Sequence, residues 1–157
     1  MNKQAFLSFI ILCGITVTLG AQTTAYRLEN PFLVRTLEVN NGVLATQSIY
    51  NKLSGKMLTP LSCEEFALRI SEGTDKEGTG RILTAKDFTV LSVSDYALMS
   101  NKKGHGYRFV LNNKKEELSV TISYELAEDE SFCHKYLQIR SGKDVTLERV
   151  DVVSISF

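Results

Sequence analysis

From Leu118 the chain reads LSVTISYEL, so that Leu118, Val120, Ile122, Tyr124 and Leu126 share one face of an extended segment while Ser119, Thr121, Ser123 and Glu125 share the other. This alternation predicts a strand with one face buried. Tyr107, Phe109 and Leu111 repeat it, as do Phe66, Leu68 and Ile70, and Leu33, Leu37 and Val39 around Arg35. Between these runs stand clusters rich in Gly, Asn, Lys and Glu: Asn40 to Gly42, Leu53 to Gly55, Glu72 to Gly80, Asn101 to Gly106, Asn112 to Glu117 and Ser141 to Asp144. Gly and Asn accept positive φ at low cost and the charged residues stay hydrated, so these clusters predict turns and loops. The punctuation predicts strands at 26–39, 42–50, 65–71, 81–98 with a break, 106–112, 117–127, 133–140 and 145–157. Beyond the N-terminal segment no run of ten or more residues has helical period. Short strands separated by turns predict an all-β chain, an antiparallel sandwich rather than a parallel α/β arrangement. Pro31 and Pro60 fall near predicted strand edges, where a missing N–H is tolerated.

The N-terminus departs from this pattern. Lys3 precedes an apolar run from Ala5 to about Leu19, followed by the small residues Gly20 and Ala21. That order predicts a secretory signal peptide at 1–21, and the run is short for a membrane span. The remaining residues, 22–157, are then one β domain of a secreted or periplasmic protein. Cys13 invites a lipoprotein reading, but Leu12 occupies a position where lipoprotein processing needs a small residue. The whole chain carries 18 basic and 18 acidic residues, and removal of Lys3 with the signal leaves 18 − 1 = 17 basic ones. A near-neutral chain has no excess of positive charge for phosphates, which argues against a nucleic-acid partner.

The densest candidate chemistry is YELAEDESFCHKYLQIRSG, where Cys133, His134 and Lys135 follow a cluster of carboxylates. The alternation stops before Ala127 and resumes with Tyr136, Leu137 and Ile139, so Ala127 to Ser131 is expected to be a hairpin tip. His134 then lies on the opposite face from Cys133 if the pairing is regular, and adjacent residues of one strand rarely reach the hydrogen-bond contact that a Cys-His nucleophile pair needs. Cys63, Cys133, His105 and His134 lack the close-spaced pairs of a zinc site, and His105 between two glycines is expected in a loop. Glu64, Glu65, Glu116, Glu117, Glu128, Asp129 and Glu130 are candidates for a glycosidase pair, but all lie in or beside predicted loops and are expected to be solvated. Gly78-Thr79-Gly80 and Gly104-His105-Gly106 match no phosphate-binding loop, which needs a following helix. The chain has no tryptophan and no Asn-x-Ser/Thr acceptor. These readings assign no catalytic, cofactor-binding or metal-binding residue and no cofactor. Cys63 and Cys133 are left either as a disulfide or as two buried thiols.

One resemblance adds to this. Gly42, Ser48, Asn51, Lys52, Ser54 and Gly55, then Glu65, Phe66 and Leu68, then Tyr124, Leu126, Lys135, Leu137 and Ile139 are similar to the N-terminal β-sandwich of secreted α-galactosidase-like and related α-glycosidase enzymes of Bacteroidetes type. The resemblance covers nearly all of 22–157. It implies a galactose-mutarotase-like supersandwich, here incomplete, that precedes a separate (β/α)₈ barrel holding the catalytic carboxylates. It further implies a non-catalytic role, with the downstream catalytic domain as partner and carbohydrate as a possible contact. The alternative is a stand-alone surface β-sandwich that binds a glycan or a protein.

The final segment carries Val145, Leu147, Val150, Val152, Val153, Ile155 and Phe157. Its change of phase between Leu147 and Val150 predicts a bulge, and its apolar density predicts a strand that needs cover from a neighbour.

Overall fold

In a computed structural model describing residues 22–71, 80–99 and 102–156, the alternation becomes thirteen strands and one 3₁₀ turn among the described residues. The predicted signal peptide with Cys13, the predicted loop at 72–79 with Gly78-Thr79, Asn101, and Phe157 lie outside the described residues. The chain is all-β and every strand pairing is antiparallel. A first sheet places β1 (Thr23–Glu29), β2 (Leu33–Asn40), β3 (Val43–Asn51) and β4 (Lys56–Leu58) side by side in chain order. A second has the order β11 (His134–Ser141), β10 (Leu118–Ala127), β9 (Gly104–Asn113), β8 (Thr89–Tyr96). Two smaller sheets complete the chain. One orders β12 (Thr146–Asp151), β6 (Ala67–Ser71) and β7 (Arg81–Thr84); the other pairs β13 (Ser154–Ser156) with β5 (Ser62–Glu64).

Local chemistry explains the turns. Asn41 and Gly42 join β2 to β3 with φ of 50° and 80°, a two-residue turn whose twist suits an antiparallel hairpin and which Asn and Gly enter at least cost. The predicted strand 26–39 is corrected here: it is two strands, β1 and β2, folded back on each other. Pro31 cannot donate to a ladder, and Asn30 closes the reversal by accepting hydrogen bonds at Oδ1 from the N–H groups of Phe32 (2.9 Å) and Leu33 (2.8 Å). The predicted loop at Asn101 to Gly106 is likewise shorter than expected. Gly104, His105 and Gly106 already belong to β9, paired with Ala127, Leu126 and Glu125.

The two four-stranded sheets contribute to a single hydrophobic core. Leu28, Leu37 and Leu44 come from one sheet, and Phe109, Leu111, Val120 and Ile122 from the other, joined by Phe66, Leu68 and Ile70 of the β6 segment. Edge-to-face contacts link the layers: Tyr26 lies 5.2 Å from Phe109, and Phe66 lies 5.1 Å from Phe88, centroid to centroid. The last strands fall at the periphery. The expected bulge is present as a register shift between Leu147 and Arg149, but the segment is two strands on different partners, β12 on β6 and β13 on β5. β12 is an edge strand, and Leu147, Val150, Val152 and Val153 in and just after it are exposed.

Candidate functional site

Two places concentrate polar chemistry, and they have opposite characters. The first is buried. Glu65, between β5 and β6, has no exposed surface. Its Oε1 accepts from Thr46 Oγ1 of β3 at 2.6 Å and from Cys63 Sγ of β5 at 3.4 Å. Its Oε2 accepts from Lys135 Nζ of β11 at 2.7 Å and from the Tyr124 hydroxyl of β10, and Arg35 Nη2 of β2 stands 3.6 Å away. Arg35 also donates to Thr46 Oγ1 at 2.6 Å, and its guanidinium lies 4.6 Å from the centre of the Tyr124 ring. One carboxylate therefore serves two cations and ties together strands from both large sheets. Arg35 Nε is buried without an acceptor, which shows how short the cluster is of negative charge.

The ionisation states follow from these contacts. Burial alone would raise Glu65, but the charges of Lys135 and Arg35 and the hydrogen bonds from Lys135 and Thr46 outweigh it and hold the carboxyl at about 2. Lys135 is lowered, because burial and the nearby Arg35 together exceed the attraction of the shared carboxylate. Burial raises Tyr124 well above the ordinary phenol range, with the Glu65 charge adding to it. Burial raises both thiols: Cys63 upward, aided by Glu65, and Cys133 to about 11. Cys63 and Cys133 are both free thiols. A carboxylate held near 2 is a poor general base, and protonated thiols and phenol are poor nucleophiles. This cluster is chemistry locked in its resting states, a clamp between layers.

The expectation that the loop-flanking carboxylates are solvated is corrected here for Glu65 and for Glu116. Glu116 is also buried and is paired with Arg81 and, at 3.6 Å, with Lys143. Glu117, Glu128 and Asp129 are exposed as expected. Glu125, placed by alternation on the polar face, is buried too, its Oε1 accepting from the Met99 N–H at 3.0 Å. Sequence reasoning missed this network because its members come from five strands and one loop. The period-two pattern does put Tyr124 and Arg35 on inward faces, but no spacing could show that Lys135 reaches Glu65 across 70 residues.

The second place is the outer face of the β8–β11 sheet. Strand register lines up Ser94, Arg108, Ser123 and Tyr136 in one row, and Ser92, Val110, Thr121 and Gln138 in the next. Tyr96, Gly106, Glu125 and His134 form the row at one end, and Asn112, Ser119 and Arg140 the row at the other. Over this face runs an open groove of about 560 Å³, with Tyr96, Arg108, Tyr136, Gln138 and Arg140 on its walls. The Arg108 guanidinium lies 4.1 Å from the centre of the Tyr96 ring. Gly106 makes room for that ring: a Cβ there would meet Tyr124 O at 2.7 Å, Tyr96 O at 3.0 Å and Tyr96 Cδ1 at 3.2 Å. His134 stacks on Tyr136 with ring planes 9° apart, and its Nε2 is 3.0 Å from Glu130 Oε2.

The stretch of Cys133, His134 and Lys135 divides accordingly. Cys133 packs against the core, His134 belongs to the outer aromatic row, and Lys135 turns inward to Glu65. His105, expected in a loop, lies in β9 with Nε2 at 3.0 Å from Asp95 Oδ1. Among the described residues no group of three or more His, Cys, Asp or Glu side chains is arranged to hold a metal ion, and no helix is long and apolar enough to cross a membrane. No protein-family model, curated protein or solved structure matches this chain.

Proposed function

We propose that this chain is the accessory N-terminal β-sandwich of an exported glycoside hydrolase, without catalytic residues of its own, and that it contacts carbohydrate through the outer face of the β8–β11 sheet. The observation that carries this reading is the lining of the groove. Tyr136 offers a ring face on which a pyranose can stack, and Gln138, Thr121 and Ser123 offer donors and acceptors suited to sugar hydroxyls. Among the described residues lining the groove none is a carboxylate, whereas glycoside hydrolysis needs two, one on each side of the scissile bond. The exposed apolar side chains of β12 and its flank support the other half of the reading, contact with a further polypeptide such as a downstream catalytic domain. They equally suit a free-standing β-sandwich that binds a protein, the alternative reading.

The experiment has two arms. The purified chain should give no turnover of aryl α-galactosides or α-glucosides, and it should be retarded in affinity gels that contain its glycan. Replacing Tyr136 by Ala should remove the retardation. Turnover abolished by a single Asp or Glu substitution would overturn the accessory assignment.

A further inference from the structure

Resting on the glycan-binding reading above, we infer that the groove over β8–β11 selects acidic carbohydrate, with Arg108 and Arg140 each holding one carboxylate or sulfate group of an oligosaccharide. The argument begins with partners. Both arginines are exposed and line the groove, and among the described residues neither is within ion-pair distance of a carboxylate. The acidic groups near this face are engaged elsewhere. Glu125 lies buried at the Tyr96 end against the Met99 N–H, Glu130 pairs with His134 and Lys102, and Asp95 pairs with His105. The groove walls therefore present two cations and no anion to a ligand.

Geometry sharpens the class. Contact with the Tyr96 ring, 4.1 Å from guanidinium carbon to ring centre, restrains the exposed Arg108, and a guanidinium is the group that binds a planar oxyanion through two parallel hydrogen bonds. Register puts Arg108 opposite Ser123 and Arg140 opposite Ser119, so the two are two rows and two strands apart. Strand geometry makes that roughly 16 Å between Cα atoms, too far for one acidic group to satisfy both and suited to a chain with repeated acidic groups. Between them, Tyr136, Thr121 and Gln138 supply a ring face and hydrogen-bonding groups, which favour sugar over an acidic peptide. The groove volume lies within the ~300–1,000 Å³ usual for ligand sites. Because the chain is neutral overall, binding by bulk charge is not the source of the preference.

Affinity electrophoresis and calorimetry of the purified chain test this, with polygalacturonate as the carboxylated probe, chondroitin sulfate as the sulfated probe, and galactan and starch as neutral ones. Retardation by at least one acidic probe, weakened by salt, is expected. Arg108→Gln and Arg140→Gln should each weaken binding about tenfold or more, at an unchanged melting temperature. Arg108→Lys keeps the charge but not the fork and should fall between. Lys114→Gln, outside the groove, should bind as the parent does. The two acidic probes distinguish carboxylate from sulfate as the group bound. Binding to neutral glycans alone, or acidic binding that survives both arginine substitutions, would overturn the acidic preference and leave the glycan reading standing. Retardation by none of the probes would overturn this inference and remove the support for glycan binding itself. Retardation equally weakened by Lys114→Gln would reduce it to nonspecific charge attraction and overturn it.

Discussion

Glu65 is where single-residue chemistry matters most to stability. Its carboxyl sits at about 2 in the folded chain, below the ordinary glutamate value of about 4.3 in the unfolded one. A lowered acid stabilises the fold fully above the unfolded value, and that contribution is lost as pH falls from about 4 through 2. The amount is on the order of 3 kcal/mol, and denaturant titrations at pH 7, 4 and 2.5 should reveal it as a falling midpoint. Glu65→Gln should destabilise by about 3–5 kcal/mol at pH 7, since it leaves Lys135 and Arg35 as uncompensated buried charges, and it should flatten this acid limb. Adding Lys135→Met to Glu65→Gln should recover part of the loss, because the second substitution removes one orphaned cation. His134 is a contrast: it is partly exposed and stacked at the rim, so His134→Ala should change stability by about 1 kcal/mol or less. None of these roles is written in the residues' sequence neighbourhoods. Glu64 and Glu65 are adjacent and identical in type, yet Glu64 pairs with the exposed Lys86 at the surface while Glu65 is wholly enclosed.

Among the elements, the β1–β2 turn couples the two large sheets. Besides capping its own turn, Asn30 donates through Nδ2 to Ala127 O and Glu130 O, each at 2.6 Å, at the end of β10 and in the loop that follows. Lys52 Nζ holds the same corner through Asn30 O at 2.7 Å and Glu29 Oε1 at 2.6 Å. Asn30→Ala would strand one buried and one part-buried carbonyl and two N–H groups, and thermal unfolding should show a loss of about 2–4 kcal/mol. Asn30→Asp keeps the turn acceptor but not the donor, so it should recover only the part due to the turn. The element boundaries that sequence placed well are those where an alternating run ends at Gly or Asn, as at Gly42 and after Asn113. Those it misplaced depend on Asn30 and Pro31, which break an otherwise extended stretch of mixed polar and apolar residues, and on glycines that continue β9 because the neighbouring backbone approaches too closely for a side chain.

For the whole molecule, the consequential surface is the edge formed by β12. Among the described residues it pairs with β6 on one side only and exposes Leu147 and Val150, with Val152 and Val153 just beyond. An edge with apolar side chains and unpaired backbone groups is a template for association. Light scattering on the purified chain should therefore show species larger than a monomer. Val150→Lys with Val152→Lys should shift the population toward monomer without lowering the melting temperature, since both positions are exposed. A monodisperse parent would mean that this edge is adequately protected by its twist and bulge.

The sequence by itself determined the all-β class, most of the strands, the hairpin turn at Asn41-Gly42 and the bulge after Leu147. These are local properties: a period of two fixes which side chains share a face, and Gly and Asn fix where the backbone can reverse. Only the tertiary structure decided that Glu65, Tyr124 and Lys135 meet, that Glu116 and Glu125 are buried, and that Tyr96, Arg108, Tyr136 and Arg140 line one groove. Those facts depend on which strands pair and in what register, and residues up to 100 positions apart are brought into contact by cooperative packing of the sheets. A carboxylate's neighbours, and hence its charge state and its use, are settled at that level because burial and electrostatic contact are properties of the folded assembly of strands.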